Sequence, residues 1–503
     1  MAHYTFERLS AADHSVLIAE RDGSPMHVAA LHLFEAGPLR TTERGIDLAA
    51  IRRATEGVLH LIPRYRQRLA WVPIEGRPVW VDDPEFRIDR HIQHVALPRP
   101  GSLSQLKGLV SWILSQPLDR RHPLWENWII EGLEGGDRFA VVTKVHHCMV
   151  DGIAGVDLAQ ILLSPAPDGQ PGEPVPYVPR PLPSGAQLLT DAAGRWLGLP
   201  LSAARGLGTL VREIGELGSE LWTHAQALGN LAGWLVNGAS ATPLNGPLGR
   251  HRNFDWMSVS FSEARRIARA RSCSLNDVIL ATVTGAVRDF MIYRRVDPAT
   301  LDFRVAAPVN ARRPDEGSTL GNHISSWVVR LPLEEADPLE QLERCRVTTQ
   351  ELKESRQAVG VEAVLAAAEW TPSFVLSLAT RAISGPINAI VTNVPGPPVP
   401  LYLLGSRLVE VYPLVPIFEN LGLGIAVMSY AGKLYFGFNA DADLLPDVPA
   451  FVGMVQQSFR TLSKLTGGET REQLAPGRAA ASSGRVAPSA ADVPAAMVAA
   501  PRT

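Results

Sequence analysis

The chain has 503 residues, 46% of them hydrophobic, and its 48 Lys and Arg against 51 Asp and Glu leave a net charge of −3. That length predicts two or three domains, since single hydrophobic cores rarely grow past about 250–300 residues, and the charge balance offers no basic field for nucleic acid. Cys148, Cys273 and Cys345 are too few, and odd in number, for a disulfide framework, and they suit a reducing cytoplasm. The opening MAHYTFERLSAADHSV lacks the basic and apolar regions of a signal peptide. The sequence shows no apolar run of the ~18 residues a spanning helix needs.

Residues 1–163 alternate strand-like and helix-like patterns. MHVAALHLFE (Met26–Glu35) reads as a strand, and DLAAIRRATEGVLHLI (Asp47–Ile62) as a helix with apolar residues at helical spacing. LSQLKGLVSWILSQPL (Leu103–Leu118) reads as a second helix. LWENWIIEGL (Leu124–Leu133) and RFAVVTKVHH (Arg138–His147) read as strands joined by the turn EGGD. The mixture predicts an α/β (α+β) domain around a mixed sheet. Eight prolines between Pro165 and Pro183 remove backbone donors and favour extended chain, so 164–185 reads as a linker. Residues 186–250 form a leucine-rich helical region containing Trp196, Trp222 and Trp234. Packing on a core is the first reading there, and contact with a lipid interface the second.

A second domain spans 251–470. It contains a helix from Leu275 to about Met291, strands at Phe303–Asn310 and Ile324–Leu333, and helices near 337–357 and 361–383. A strand at Asn388–Val394 precedes a hairpin, Gly424–Asp441, that turns at Ala431–Gly432, and a helix near 446–465 closes the domain. The tail, 471–503, is mostly Ala, Pro, Ser and Gly and is expected to be disordered.

The chemistry concentrates in VHHCMVDGIAG, Val145–Gly155. Adjacent strand residues point to opposite faces, so His146 and His147 do not suit one metal ion. Phe139, Val141, Thr143, Val145 and His147 share one parity, which places His147 last on that face, where a site can open. A neutral imidazole there can take a proton from an alcohol. His146, on the other face, reads as a satisfied buried histidine, and Cys148 as filler. Asp151 suits the N-cap of the helix DGIAGVDLAQILL, and Gly152 permits close backbone approach. SLND reads as a variant capping box, with Ser274 at N-cap and Asp277 at N3. Asn276 then stands between helix start and oxyanion donor. Pro123, Leu124 and Trp125 read as a strand start whose indole plugs a core. There is no G-x-S-x-G elbow to indicate a hydrolase-type serine.

HHCMVDG matches the His-His-x-x-x-Asp-Gly motif of an acyltransferase superfamily. Around it, LDRRHPLWENWIIEGLEGGDRFAVVTKVHHCMVDG resembles the bacterial wax ester synthase/diacylglycerol acyltransferase family, including its Pro-Leu-Trp motif. PMHVAALHLFE, PRYRQRL, LNDVILA, GNHISSWVVRLPL and TNVPGPPVPLYLLG resemble that family's segments in the same order, over roughly residues 5–465. The resemblance implies a two-domain CoA-dependent acyltransferase fold. Each domain would be a mixed sheet with flanking helices, and an active-site channel would lie between them. It implies acyl transfer from acyl-CoA, a co-substrate, to diacylglycerol or a long-chain alcohol, with no cofactor. It also implies a cytoplasmic enzyme held at the inner membrane or at lipid inclusions. By motif, His147 is the general base, His146 supports it, and Asp151 pairs with an arginine, for which Arg312 in PVNARRP is the candidate. Gly152, Pro123, Leu124, Trp125, Asn276 and Asp277 are support. Two other readings remain: an amide-forming condensation-type enzyme, and a non-enzymatic lipid-droplet protein on the same scaffold.

Overall fold

The computed structural model describes residues 6–21, 23–43, 45–149, 161–169, 172–194, 238–310, 324–354 and 387–473. The strands are β1 (Phe6–Arg8), β2 (His27–Glu35), β3 (Gln67–Trp71), β4 (Pro78–Asp82), β5 (Ile92–Ala96), β6 (Trp125–Glu131), β7 (Arg138–His146), β8 (Arg252–Ser260), β9 (Phe303–Asn310), β10 (Ile324–Leu331), β11 (Ala389–Pro395), β12 (Tyr402–Leu403), β13 (Ser406–Leu414), β14 (Leu423–Tyr430) and β15 (Lys433–Asp441). One six-stranded sheet runs β12-β13-β2-β7-β6-β5, a second runs β10-β9-β11-β14-β15-β8, and β1-β4-β3 form a small third. Both large sheets are mixed. β5 is parallel to β6, and β11 is parallel to β9 and β14, while their other neighbours are antiparallel.

The elements arise for local reasons. The alternation in HVAALHLFE gives β2 an almost strict buried/half-buried pattern. β7 sits centrally between β2 and β6 and is buried on both faces past its first residue, with Thr143 half-buried. The helices of the first half are α1 (Ala11–Ala19), α2 (Leu48–Val58), α3 (Ile88–His91) and α4 (Leu103–Ser115). Ser102 and Gln105 close a capping box at the start of α4, and Leu106, Val110, Ile113 and Leu114 make its buried stripe. The helix ends short of Leu118, because Gln116 precedes Pro117 and turns extended (ψ 130°). Ala431 and Gly432, with φ 43° and 84°, make the tight turn of the β14–β15 hairpin. In the second half α5 (Phe261–Ala270), α6 (Leu275–Tyr293), α7 (Pro338–Glu354) and α8 (Val448–Gln473) cover the sheet. Phe451 of α8 meets Phe290 of α6 edge-on at 5.4 Å.

The sheets do not divide where the chain does. β12 and β13 come from the second half in sequence, yet β13 pairs with β2 from Leu408↔Phe34 to Leu414↔Ala29 and completes the first-half sheet. Where β13 passes β15, a Cβ on Gly437 would stand 1.9 Å from the Pro413 carbonyl oxygen, so the crossing requires glycine. α4 makes a second tie: Ser111 Oγ and Ser115 Oγ accept the backbone N–H groups of Phe254 and Arg252 on β8.

The proline-rich stretch is pinned to the first half. Tyr177 donates to the Arg66 carbonyl, and Arg180 binds Asp82 through its guanidinium and its own backbone N–H. A helix over 185–194 then buries Leu188 and Ala192 against Val72, Val79 and Val81. The rest of the expected helical region, 195–237, the expected helix at 361–383, and all of the tail from 474 lie outside the described residues. Among the described residues, no helix is long and apolar enough to cross a membrane.

Candidate active site

β2 and β7 run antiparallel in a register that sets His27 opposite His146. The start of β6 lies on the other side of β7's end, and the Leu124 carbonyl accepts the His146 N–H at 2.9 Å. β7 stops at His146, and His147–Met149 form one 3-10 turn. The pleat therefore does not aim His147, as strand parity predicts. The turn aims it, anchored by its N–H on the Met26 carbonyl at 2.8 Å.

The two histidines differ. His146 is 1% exposed. Its Nδ1 accepts the Cys148 N–H at 3.2 Å and lies 3.0 Å from Cys148 Sγ. Its Nε2 faces Glu20 Oε2 at 3.4 Å, a charge contact rather than a well-formed hydrogen bond. His147 is half-buried. Burial pushes its pKa below the ordinary value, with its own backbone pulling upward and the nearby His146 pushing down. A largely neutral imidazole near neutral pH follows. Cys148 is buried, and burial raises its thiol far from the reactive range.

Behind His146 lies a group the sequence does not announce. Glu20 follows α1 as its C-cap. One carboxylate oxygen accepts the Met26 N–H at 3.2 Å and lies 3.7 Å from His27 Nε2; the other takes Nε (3.1 Å) and Nη2 of Arg120. Burial opposes its charge, but His146 and Arg120 outweigh burial and hold the carboxyl down at about 2. His27 is 5% exposed. Burial first, then the charges of Lys144 and His146, push its imidazole well below the usual range, so it is neutral. Lys144 is fully buried, and its ammonium donates to the Ile113 and Gln116 carbonyls at the C-terminal end of α4 and pairs with Glu126 at 3.0 Å. No motif marks Glu20, Arg120, His27 or Lys144. Glu20 and Arg120 are 100 residues apart, and folding alone brings them together.

Pro123, Leu124 and Trp125 are buried beside this end of the sheet. Trp125 Nε1–H donates to the Tyr65 carbonyl at 2.9 Å, and its ring stacks on His91 at 4.5 Å. Its indole fills the core, and Leu124 braces His146 through the backbone. Asn276 is half-buried at the second position of α6, and Asp277 is 2% exposed at the third. The Asp277 carboxylate closes the capping box on the Ser274 N–H (2.7 Å) and accepts Thr349 Oγ1 (2.6 Å) from α7. Both oxygens serve packing within the second half, and the described contacts do not bring Asn276 or Asp277 to the histidines. The Gly396 N–H donates to Ser429 Oγ, so it is not free to face a substrate. Asp151, Gly152 and Arg312 lie outside the described residues.

Residues 9–279 match the wax ester synthase/diacylglycerol acyltransferase catalytic domain, and residues 320–463 the C-terminal domain of the same family. A putative diacylglycerol O-acyltransferase of Mycobacterium tuberculosis is 32% identical over 451 residues, covering 88% of this chain and 87% of that protein. A probable diacylglycerol O-acyltransferase of the same species is 31% identical, covering 76% of this chain and 81% of its own. The solved wax ester synthase/diacylglycerol acyltransferase from Marinobacter aquaeolei shares the fold with a TM-score of 0.64 and 25% identity, over 92% of this chain and all of that one (100%). The starter condensation domain of rhizomide synthetase, at 16% identity and a TM-score of 0.57 over 92% of this chain and 95% of its own, is similar in fold alone.

Proposed function

The chain belongs to the wax ester synthase/diacylglycerol acyltransferase family, and we propose that it moves a fatty acyl group from acyl-CoA to diacylglycerol or a long-chain alcohol, making triacylglycerol or wax ester. The observation that carries the chemistry is the asymmetry of the histidine pair. His146 is held in a buried network, its Nδ1 bonded to the Cys148 N–H and its Nε2 turned to Glu20 at 3.4 Å, while His147 is half-buried, neutral and presented by a turn.

His147 is the general base. It accepts the hydroxyl proton as the acceptor oxygen attacks the thioester carbonyl. The tetrahedral intermediate then expels the CoA thiolate, and His147 returns the proton to that sulfur. Acyl group and proton both balance, and no acyl-enzyme forms. A positioned base contributes ~10²–10⁴-fold to such a step. The thioester is already activated, so the transfer needs no resident cofactor.

The reading extends to the lipid surface where such acceptors reside, with the enzyme cytoplasmic and peripherally bound at the inner membrane or lipid inclusions. The β3–β4 hairpin supports it, exposing Trp71 at 50% and Ile74 at 98%. Co-flotation with liposomes tests this, and protein that stays at the bottom of the gradient counts against it. The decisive test of function is purified protein with one acyl-CoA and a panel of diacylglycerol, long-chain alcohols and amines. Ester products are expected, and an amide as the main product would overturn the reading.

A further inference from the structure

We propose that Glu20, clamped by Arg120, is a positioning residue for acyl transfer: it orients the His146 imidazole and thereby the turn that presents His147. The proposal rests on the assignment of His147 as base.

The geometry runs from Glu20 outward. Glu20 stands where α1 ends, and Arg120 fixes it there, with its Nη2 also reaching the Leu17 carbonyl of α1 at 3.4 Å. Three segments meet at this carboxylate: the end of α1, the Arg120 loop leading into β6, and the start of β2 through the Met26 N–H. Met26 is also the residue whose carbonyl accepts the His147 N–H. Glu20 is therefore tied to the catalytic turn twice, once through the Met26 peptide and once through the His146 ring.

The ring contact sets a tautomer. Cys148 N–H points at His146 Nδ1, so that nitrogen must carry a lone pair, and the ring proton belongs on Nε2, toward Glu20. With a carboxylate at one end and a backbone N–H at the other, the imidazole has one favourable orientation. The other tautomer would set an N–H against the Cys148 N–H and a bare nitrogen against the carboxylate, and a flip of the ring would turn carbon edges to both. The Cys148 N–H belongs to the same 3-10 turn as His147. Glu20 thus defines the angle at which His147 leaves the strand, without touching substrate. The other ionisable groups around His146 are Arg120, His27, His147, Cys148 and, two residues back on β7, Lys144. None of the five is an anion, and Glu20 is the carboxylate within reach of the ring among the described residues.

The test compares Glu20→Gln with Glu20→Met. Gln keeps the volume and, with a single amide oxygen, can accept from His146 Nε2–H or from Met26 N–H but not from both; Met keeps the volume and can do neither. Expected is a graded loss of kcat, severalfold for Gln and tenfold or more for Met. KM for acyl-CoA should stay within about twofold, and both proteins should remain folded by thermal melt. In parallel, ¹⁵N-histidine NMR should show His146 as the Nε2–H tautomer in the wild type and in Glu20→Gln, and a mixed tautomer in Glu20→Met. A folded Glu20→Met with wild-type kcat and an unmixed tautomer overturns the proposal, as does a kcat loss that only follows the unfolded fraction. Should Glu20→Met fail to fold, Glu20→Gln decides: unchanged kcat together with a changed tautomer, or no graded loss at all, refutes it. A wild type that esterifies no acceptor sinks the functional reading instead, while the NMR result still reports whether Glu20 orients His146.

Discussion

Truncating the two histidines should separate chemistry from stability. His147 is half-buried, so His147→Ala empties little fully buried space. The stability cost should be about 1 kcal/mol or less. Turnover should fall by ~10²–10⁴, about 3–5 kcal/mol of lost transition-state stabilisation. His146→Ala has the opposite profile. It removes a ring that is 1% exposed, strips the buried Cys148 N–H of its acceptor, and leaves Glu20 without its imidazole partner. An orphaned buried donor alone costs ~1–3 kcal/mol, and the vacated volume adds to that. The variant should therefore melt markedly lower and lose less turnover than His147→Ala. Single-turnover transfer from labelled acyl-CoA, read beside thermal melts, isolates the chemical step from product release. If His146→Ala is as inactive as His147→Ala with an unchanged melt, both imidazoles act in the chemistry and the division of labour is wrong.

The acid limb of kcat/KM should lie below the ordinary imidazole value of 6.5, because His147 must be neutral to act and burial lowers its folded pKa; a limb centred above 6.5 contradicts this. Glu20, held at about 2 against an ordinary 4.5, adds stability that is complete above the unfolded value and lost as pH falls from about 4.5 toward 2. At most about 3 kcal/mol is involved, and denaturant melts of wild type and Glu20→Gln across that range should converge. Gly437→Ala would push a methyl into the Pro413 carbonyl, so it should cost several kcal/mol or block folding through the β13–β15 crossing; a near-native melt would show that the crossing relaxes. Thr349→Val should cost ~1–3 kcal/mol by removing a donor from the buried Asp277 carboxylate, while turnover per folded molecule stays unchanged.

Local signals in the chain identify most of the elements. Period-2 alternation marks β2, helical spacing and a capping box mark α4 and α6, and an Ala-Gly turn marks the β14–β15 hairpin. Long-range pairing leaves no such signal. Nothing in SRLVEVYPL says that β13 will join β2, some 370 residues earlier (Glu35 and Arg407 are 372 apart), rather than the strands beside it in sequence. Likewise, prolines mark 164–185 as extended, but the docking of Tyr177 and Arg180 depends on acceptors about 100 residues away. Composition reports that a segment lacks regular structure and is silent on what that segment lies against.

The active-site end shows the same limit in sharper form. Strand parity puts His146 and His147 on opposite faces, and that reasoning separates their roles although β7 ends one residue too early for it to apply. The separation comes instead from hydrogen-bonding capacity. An imidazole has two nitrogens, and a histidine with one bonded to a backbone N–H and the other buried against a carboxylate presents neither to a substrate. His146 is in that position because Glu20, Arg120 and the Cys148 peptide converge on it from three separate places in the chain. His147 escapes that network because it leaves the strand in a 3-10 turn and stays half-buried. A motif of two adjacent histidines therefore encodes one anchored ring and one half-buried ring presented by a turn. Which is which depends on partners that the motif itself does not contain.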